Sequence, residues 1–430
     1  MNNGKIELSK YILVSKDEGK NIIMYNTLYQ TYLFVKSSNY YNLVRLHNEI
    51  CEGNASISDS NIKMLHDAKM VWFPGDNREE ESELLNSRHE SAVNSNDSLN
   101  MIILPTEKCN FRCIYCYENF LNGKMEQHVV AKTKELISNL LPRYESLHIS
   151  WFGGEPLLAL DVISDISEYA LERCKCMKKP YYSYMTTNGY LLTPDVVKKL
   201  LKLHVMKFQI TIDGCEDTHN KKRKLANGKG TYHKIIENLI GIRDNIKTHT
   251  IKIIVRMNVT DENSISEINA IKEIFSDDSR FVFNIQPVFG DIDFESRITN
   301  STSRYYELLK YCDDNEFGDL TANAQICYAA KSNTVMIRSD GTIGKCTVNL
   351  DDPENNFGNV CTIQSKDYNP GILDYKKIKF DSQICVDCCL YPICFGIQCP
   401  ARRKQACAKI YKKCTTILSK TKCNMPTLFE

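Results

Sequence analysis

A chain of 430 residues is too long for one ordinary hydrophobic core and points to two or three domains. Its composition, 43% hydrophobic and 25% charged with a net charge of +1, excludes a disordered chain and gives no global field that points to nucleic acid or an anionic membrane. Met1 to Lys10 lacks an apolar signal core and no stretch reaches the roughly 18 apolar residues of a membrane span, so a cytoplasmic protein is expected, whose 19 cysteines read as metal ligands rather than disulfides.

Residues 1–80 form a first unit without a chemical motif. Asn21 to Tyr25 and Gln30 to Val35 are expected as two short strands around a turn. Helical spacing follows over Tyr40 to Cys51 and Ser58 to Lys69, with Ser58 as N-cap, and Val71 to Pro74 suits a short strand. Units of this kind bind peptides by strand addition or simply cap the next domain, and both readings stay open. The polar, acidic stretch Asp76 to Asn100 reads as a linker, assigned to residues 81–100, with room for one short helix.

From 101 to about 290 the pattern alternates. Strands are expected at Met101–Leu104, Leu147–Phe152, Tyr181–Thr186, Lys207–Ile212, Ile251–Asn258 and Phe281–Gln286, with helices near 125–141, 157–176, 193–204, 231–246 and 263–276. Thr193-Pro194 has the favoured cap-then-proline order for a helix start. Such alternation implies a parallel sheet of right-handed βαβ units, and six units fit an incomplete (β/α)6 TIM-like barrel with its chemistry at the C-terminal strand ends. This domain is assigned to residues 101–315, and the fold class is α/β.

The first strand runs directly into Cys109, Cys113 and Cys116, three thiols at C-x3-C-x2-C spacing. Chance placement of 19 cysteines would give roughly 0.04 such matches per chain. Cubane iron–sulfur clusters take four ligands, so three thiols in one loop leave one iron open to a substrate or cofactor; a zinc knuckle is the alternative. Beyond about 320 the alternation stops and 11 cysteines crowd between Cys327 and Cys423. Little periodic apolar sequence remains there, so metal would supply much of the folding energy of residues 316–430.

The cysteine loop, the barrel-like alternation and Gly153-Gly154-Glu155-Pro156 after the second strand together resemble the radical S-adenosylmethionine superfamily. The resemblance implies a 4Fe–4S cluster on Cys109, Cys113 and Cys116 that chelates S-adenosylmethionine at its open iron. One electron then splits the sulfonium and yields a 5′-deoxyadenosyl radical. It also implies that Gly153 and Gly154 let backbone approach the cofactor, that Glu155 accepts from its ammonium group, and that Thr187 and Asn188 offer polar groups to it. Asp213 would hydrogen-bond the ribose and Arg256 would pair with the methionine carboxylate; for each of these a strand-capping role is the alternative. His219, Lys222 and Arg223 fit the family's D-G-x4-H-x3-R stretch, or a solvated basic loop.

The last hundred residues resemble the SPASM extension of that superfamily, which holds auxiliary clusters. Cys327 and Cys346 around Gly341 match its first half; Cys385, Cys388 and Cys394, followed by Cys399, match most of its second. The resemblance implies two auxiliary 4Fe–4S clusters. Cys327, Cys346 and Cys399 would hold one, with Cys312 or substrate completing it. Cys385, Cys388 and Cys394 would hold the other, with Cys414, Cys407 or Cys423 as last ligand. The four residues between Cys394 and Cys399 depart from the usual three, and a zinc site is the alternative.

The family acts mostly on peptides and proteins, so the resemblance implies a peptide maturase. The first unit looks like a winged-helix-like recognition domain for a ribosomally made precursor peptide, and a flavodoxin or ferredoxin would supply electrons. Thioether cross-linking is favoured. An anaerobic sulfatase maturase is the alternative, although Thr347 stands where its catalytic Asp is usual. A non-catalytic iron–sulfur or zinc peptide-binding protein is the reading from another class.

Overall fold

The computed structural model describes residues 5–288, 326–363, 385, 388–395, 414–420 and 426–429. Its contacts divide the chain into two compact units that do not follow the sequence boundaries. One combines the described residues up to 95 with 326–331 and those from 385 onward; the other combines 96–288 with 332–363. The expected cut near 316 therefore does not separate the C-terminal part cleanly, because residues 332–363 belong with the barrel-like unit.

In the first unit, β1 (Glu7–Leu8), β2 (Ile12–Lys16), β3 (Ile22–Asn26) and β4 (Thr31–Val35) precede α1 (Tyr40–Glu52), α2 (Ser60–Asp67), β5 (Val71–Trp72) and α3 (Glu79–Val93). The strands β2, β3 and β4 form an antiparallel sheet in that order. Every residue of β3 is buried, which explains its unbroken apolar run: both faces of the sheet are covered. Ile22, Met24, Leu33 and Val35 pack with Leu46, Ile50, Ile62 and Leu65 of the helices. Leu13, Ile23 and Tyr25 on the other face pack with Leu390, Ile393, Cys394, Cys414 and Leu418. The N-cap of α2 is Asp59 rather than Ser58, its carboxylate accepting from the N–H groups of Asn61 and Ile62. The polar stretch read as a linker instead carries the fifteen-residue α3, with Glu79, Glu80 and Glu81 in its first turn, where the helix dipole favours negative charge.

The second unit is built on β6 (Leu99–Ile103), β7 (Phe111–Cys113), α4 (Gln127–Leu140), β8 (Leu147–Trp151), α5 (Leu160–Met177), β9 (Tyr181–Thr187), α6 (Pro194–Lys202) and β10 (Val205–Thr211). It continues with α7 (Glu216–Lys222), β11 (Arg223–Leu225), α8 (Tyr232–Asn245), β12 (Lys252–Val259), α9 (Ile265–Ile274), β13 (Phe281–Pro287), β14 (Thr334–Ile337) and β15 (Ile343–Gly344). The six expected strands are β6, β8, β9, β10, β12 and β13. They lie side by side in chain order, every neighbouring pair parallel. The fold is α/β with a mostly parallel eight-stranded sheet, the arrangement a partial barrel needs. Its strands are apolar because helices cover one face while Leu99, Ile149, Trp151, Phe208, Ile210 and Val255 fill the core. Thr193 caps α6 through the Val196 N–H, and Ser264 and Glu267 form a capping box on α9. The strand β14 adds in parallel beyond β6 and β15 turns back on it, an extension absent from the sequence expectation. Because all the parallel strands point one way, the loops after β6, β8, β9 and β10 converge on one edge.

Candidate functional site

The loop after β6 carries the three cysteines and is pinned as a strand. Cys113 pairs with Arg223, Arg112 with Lys224 and Phe111 with Leu225 in an antiparallel ladder. The ladder is extended by Ile114 N–H to Lys222 O at 3.0 Å and Ala226 N–H to Asn110 O at 2.8 Å. Its base is fixed by Glu107, whose carboxylate takes a bidentate pair from Arg338 at 2.9 and 2.8 Å with almost no solvent exposure. Asn122 adds a third donor at 3.1 Å.

The turn after β8 lies against this loop. Glu155 N–H donates to Lys108 O at 2.9 Å and Gly154 N–H to a Glu118 carboxylate oxygen at 2.7 Å. A side chain on Gly154 would put its Cβ 2.3 Å from Lys108 O, and the residue has φ +45°, so only glycine fits. Glu155 itself is fully buried. Its carboxylate accepts from Thr187 Oγ1 and Asn188 N–H, both at 2.7 Å, and from Leu157 N–H at 3.0 Å. Its oxygens therefore fix the turn after β9 rather than standing free for an ammonium group. That turn presents Asn188, whose Nδ2 donates to Asn110 Oδ1 at 2.8 Å and lies 3.9 Å from Cys109 Sγ. Thr187 and Asn188 are thus joined to the cysteine loop through Glu155 and Asn110.

The end of β10 supplies a second anchor. Asp213 is fully buried, accepting from Tyr115 O–H and, at 2.8 Å, from Asn258 N–H. A carboxylate so engaged holds the loop through Tyr115; it does not offer the free oxygens expected for a ribose. Tyr115 also accepts from Arg223 at 2.7 Å. Burial alone would lower the Arg223 pKa, yet Tyr115, Cys113 and Asp213 together hold it above its usual value. His219 Nδ1 accepts from Asp213 N–H at 3.2 Å, so the ring is the Nε2–H tautomer and donates to Thr231 Oγ1 at 3.0 Å. Burial pushes its pKa down to about 3, and it is neutral. Lys222 is buried as well, donating to Asn263 Oδ1 at 2.6 Å. The D-G-x4-H-x3-R stretch is a structural clasp rather than a solvated loop. Arg256, on β12, donates to Asn258 and Asn284 side chains at 3.0 and 2.6 Å.

Does this edge fit an iron–sulfur cluster? The donor set does: Cys109, Cys113 and Cys116 lie on one pinned loop, and none forms a disulfide. Burial pushes the Cys109 thiol up to about 12, with the Glu155 charge adding to it, and raises Cys113 and Cys116 too. The bare thiols are thus protonated, and loading iron must release protons. Arg223 Nε is buried with no hydrogen-bond partner, a donor and positive charge beside Cys113 that suits a cluster carrying anionic sulfur. Among the described residues no three His, Cys, Asp or Glu side chains converge as a single metal ion requires. A cubane makes no such demand, since each thiolate binds a different iron.

Of the expected auxiliary ligands, Cys399, Cys407, Cys423 and Cys312 lie outside the described residues. Cys394, in the short helix α10 (Tyr391–Cys394), packs in one cluster with Cys414, and Cys388 lies against it. Cys389 joins that group, which the spacing did not suggest. Cys346 belongs to the barrel-like unit, its N–H donating to Asn355 Oδ1 at 2.9 Å. Cys385 and Cys327 are described in the first unit. Sequence reasoning missed Tyr115, Asn258, Glu107 and Arg338. Tyr115 was findable between Cys113 and Cys116, and Asn258 two residues from Arg256 on the same strand face.

Comparison with known proteins agrees with this geometry. Residues 103–268 match the model of the Radical SAM superfamily. The radical SAM cyclopropyl synthase TigE of Paramaledivibacter caminithermalis is 22% identical over 57% of this chain and 56% of its own. The cysteine-type anaerobic sulfatase-maturating enzyme of Clostridium novyi is 28% identical over 33% of this chain and 40% of its own. The chain thus spans about half or less of the length of these curated relatives. The solved structure of native anSMEcpe with bound AdoMet has the same fold at a TM-score of 0.54 and 18% identity, over 74% of this chain and 97% of that one. No helix among the described residues is long and apolar enough to cross a membrane. Residues 103–268, which carry the three-thiol loop clasped at the C-terminal edge of the parallel sheet, are thus similar to the Radical SAM superfamily.

Proposed function

We propose that this protein is a peptide maturase that reductively cleaves S-adenosylmethionine and forms thioether cross-links in a ribosomally made precursor peptide. The observation that carries the reading is the pinned loop of Cys109, Cys113 and Cys116 with the unpartnered Arg223 Nε beside it. Cys109, Cys113 and Cys116 would hold a 4Fe–4S cluster, which together with S-adenosylmethionine would supply reductive cleavage of the sulfonium and hydrogen abstraction from substrate. The chain's own residues orient and shield. Gly154 lets backbone approach, Glu155 sets the Thr187–Asn188 turn, and Asp213 with Tyr115 fixes the loop. Gly153, Thr187, Asn188 and Arg256 are assigned to the cofactor, and Cys327, Cys346, Cys385, Cys388, Cys394, Cys399 and Cys414 to two auxiliary clusters. The three-stranded unit at residues 1–80 binds the precursor, and a flavodoxin or ferredoxin delivers the electron.

Reconstituted anaerobically and given reductant, the protein should release 5′-deoxyadenosine, and Cys113→Ala should not. Release undiminished in that variant would sink the reading. A second reading has specific support: TigE is a cyclopropyl synthase, so a carbon–carbon bond competes with the thioether. Mass spectrometry of the short peptides encoded beside the gene separates them. Both products lose two hydrogens, but only a thioether loses an alkylatable thiol. Formylglycine in a neighbouring sulfatase would instead favour the sulfatase maturase, the activity named for the Clostridium relative.

A further inference from the structure

We infer that Arg338 is a positioning residue for the three-thiol loop: from the β14–β15 extension it clamps both ends of that loop and keeps Cys109, Cys113 and Cys116 arranged for cofactor binding. Strand register delivers it there. β14 runs parallel to β6 with Ile337 opposite Ile103, and Leu104 N–H donates to Ile337 O at 2.9 Å. The residue after β14 therefore emerges beside the start of the loop. At the loop's entry, Arg338 Nε and Nη2 take the two oxygens of Glu107, and both side chains are buried. Its third nitrogen, Nη1, donates to Leu350 O at 2.8 Å, and Nη2 also reaches Asp351 Oδ1 at 3.3 Å.

The exit of the loop ties into the same node. Asn119 Nδ2 donates to the other oxygen of Asp351 at 2.6 Å. Asn122 Nδ2 bridges Glu107 Oε1 at 3.1 Å and Asp340 Oδ2 at 3.3 Å. The three thiols lie between these two ends. The far side of the clamp is itself held: Asn355 Nδ2 donates to Cys346 O at 2.8 Å and to Asn349 O at 2.9 Å, just before Leu350 and Asp351. Only a planar fork of donors serves Glu107, Leu350 and Asp351 at once, which a lysine ammonium on a flexible stem does not. Without Arg338 the Glu107 charge is left buried and uncompensated. The loop then samples further arrangements, and apparent cofactor affinity falls with the fraction that stays competent. Bound cofactor restores the arrangement, so the chemical step changes little. This inference rests on the reading of the chain as an enzyme that cleaves S-adenosylmethionine.

The test measures 5′-deoxyadenosine release by the iron-reconstituted full chain against S-adenosylmethionine concentration. Arg338→Gln should raise KM about tenfold and leave kcat per loaded site within about twofold. Arg338→Lys should recover part of that loss, and Glu107→Gln added to Arg338→Gln should cost nothing further, because the two act through one contact. In the metal-free chain, Arg338→Gln should speed hydrogen exchange of amides 109–122 while β8 to β10 keep their protection. An unchanged KM, or a loss of kcat at unchanged KM, overturns the inference. If Arg338→Gln does not fold, Asn119→Ala with Asn122→Ala removes the exit ties alone. That variant should raise KM about threefold, and no rise overturns the clamp. A wild-type chain that releases no 5′-deoxyadenosine refutes the enzyme reading instead, and hydrogen exchange of the metal-free variants then decides the clamp, with unaltered exchange at 109–122 overturning it.

Discussion

Arg223 donates to Tyr115, which Asp213 also engages, and it pairs with Cys113 in the ladder. Reduction adds an electron to the cluster, and a nearby positive charge favours it. Arg223→Gln should shift the reduction potential negative, on the order of tens of millivolts, while Arg223→Lys should recover most of it. An EPR-monitored redox titration reads the difference; an unchanged potential in Arg223→Gln would leave Arg223 a purely structural role. His219 makes a prediction about pH. Its folded pKa of about 3 lies below the unfolded value, so below about pH 6.5 the unfolded chain binds the extra proton and stability falls with pH. At about pH 5 this one group should cost about 2 kcal/mol. His219→Asn keeps an acceptor for the Asp213 N–H and cannot titrate. Its denaturant midpoint should drop less than wild type's between pH 7 and pH 5, and equal drops would refute the assignment. Local chemistry of this kind is what sequence conveys best. The cysteine spacing needs only eight consecutive residues, whereas Tyr115 meets Asp213 across 98 positions and Arg338 meets Glu107 across 231, distances at which spacing says nothing.

The elements show the same division. Strands of the parallel sheet were legible because each is a short apolar run followed by an amphipathic helix, and their order follows the chain. The strand β14 was not, since three apolar residues after Thr334, in a Cys-rich region, are too short a run to read as a strand from pattern. The helix α3 was legible only in part, as room for one short helix in a linker: it is almost entirely polar, with only Ala92 buried, and its length shows only once its first-turn glutamates are weighed. The cap of α2 slipped by one residue because Ser58 and Asp59 are both good caps, and only geometry chooses between them. At this scale the turn after β8 is the sharpest test. Gly154→Ala drives a Cβ into Lys108 O and must displace either the turn or the cysteine loop. Cofactor cleavage should fall tenfold or more, which is about 1.4 kcal/mol of misplacement. Gly123→Ala meets nothing within 4 Å and serves as the control, expected to retain wild-type turnover. Comparable rates in both variants would mean that the close approach at Gly154 does not matter.

For the whole molecule, the outstanding quantity is metal content. The division into two compact units places Cys346 with the barrel-like sheet and Cys385, Cys388, Cys394 and Cys414 in the other unit. The interleaved assignment groups Cys388, Cys394 and Cys414, which lie in one unit, but joins Cys346 to Cys327, which belongs to the other unit. In the first unit, Cys394 and Cys414 are packed against the apolar face of β2 and β3, with Leu13, Ile23 and Tyr25. A cluster there would be walled by that face of the sheet, and its loss would loosen the packing on it. Three cubanes predict about twelve irons per chain, and replacing Cys109, Cys113 and Cys116 together with alanine should leave about eight. Replacing Cys388, Cys394 and Cys414 together should also remove about four, but the two losses should differ in consequence. The first abolishes cofactor cleavage and leaves thermal stability nearly unchanged, because its loop is already held by the β7–β11 ladder and the Arg338–Glu107 pair. The second lowers stability by several degrees while cofactor cleavage persists, because metal there substitutes for core. Iron analysis beside thermal unfolding reads both. About four irons in the wild-type protein would reduce the C-terminal cysteines to zinc ligands or structural thiols and remove the auxiliary clusters from the proposed chemistry.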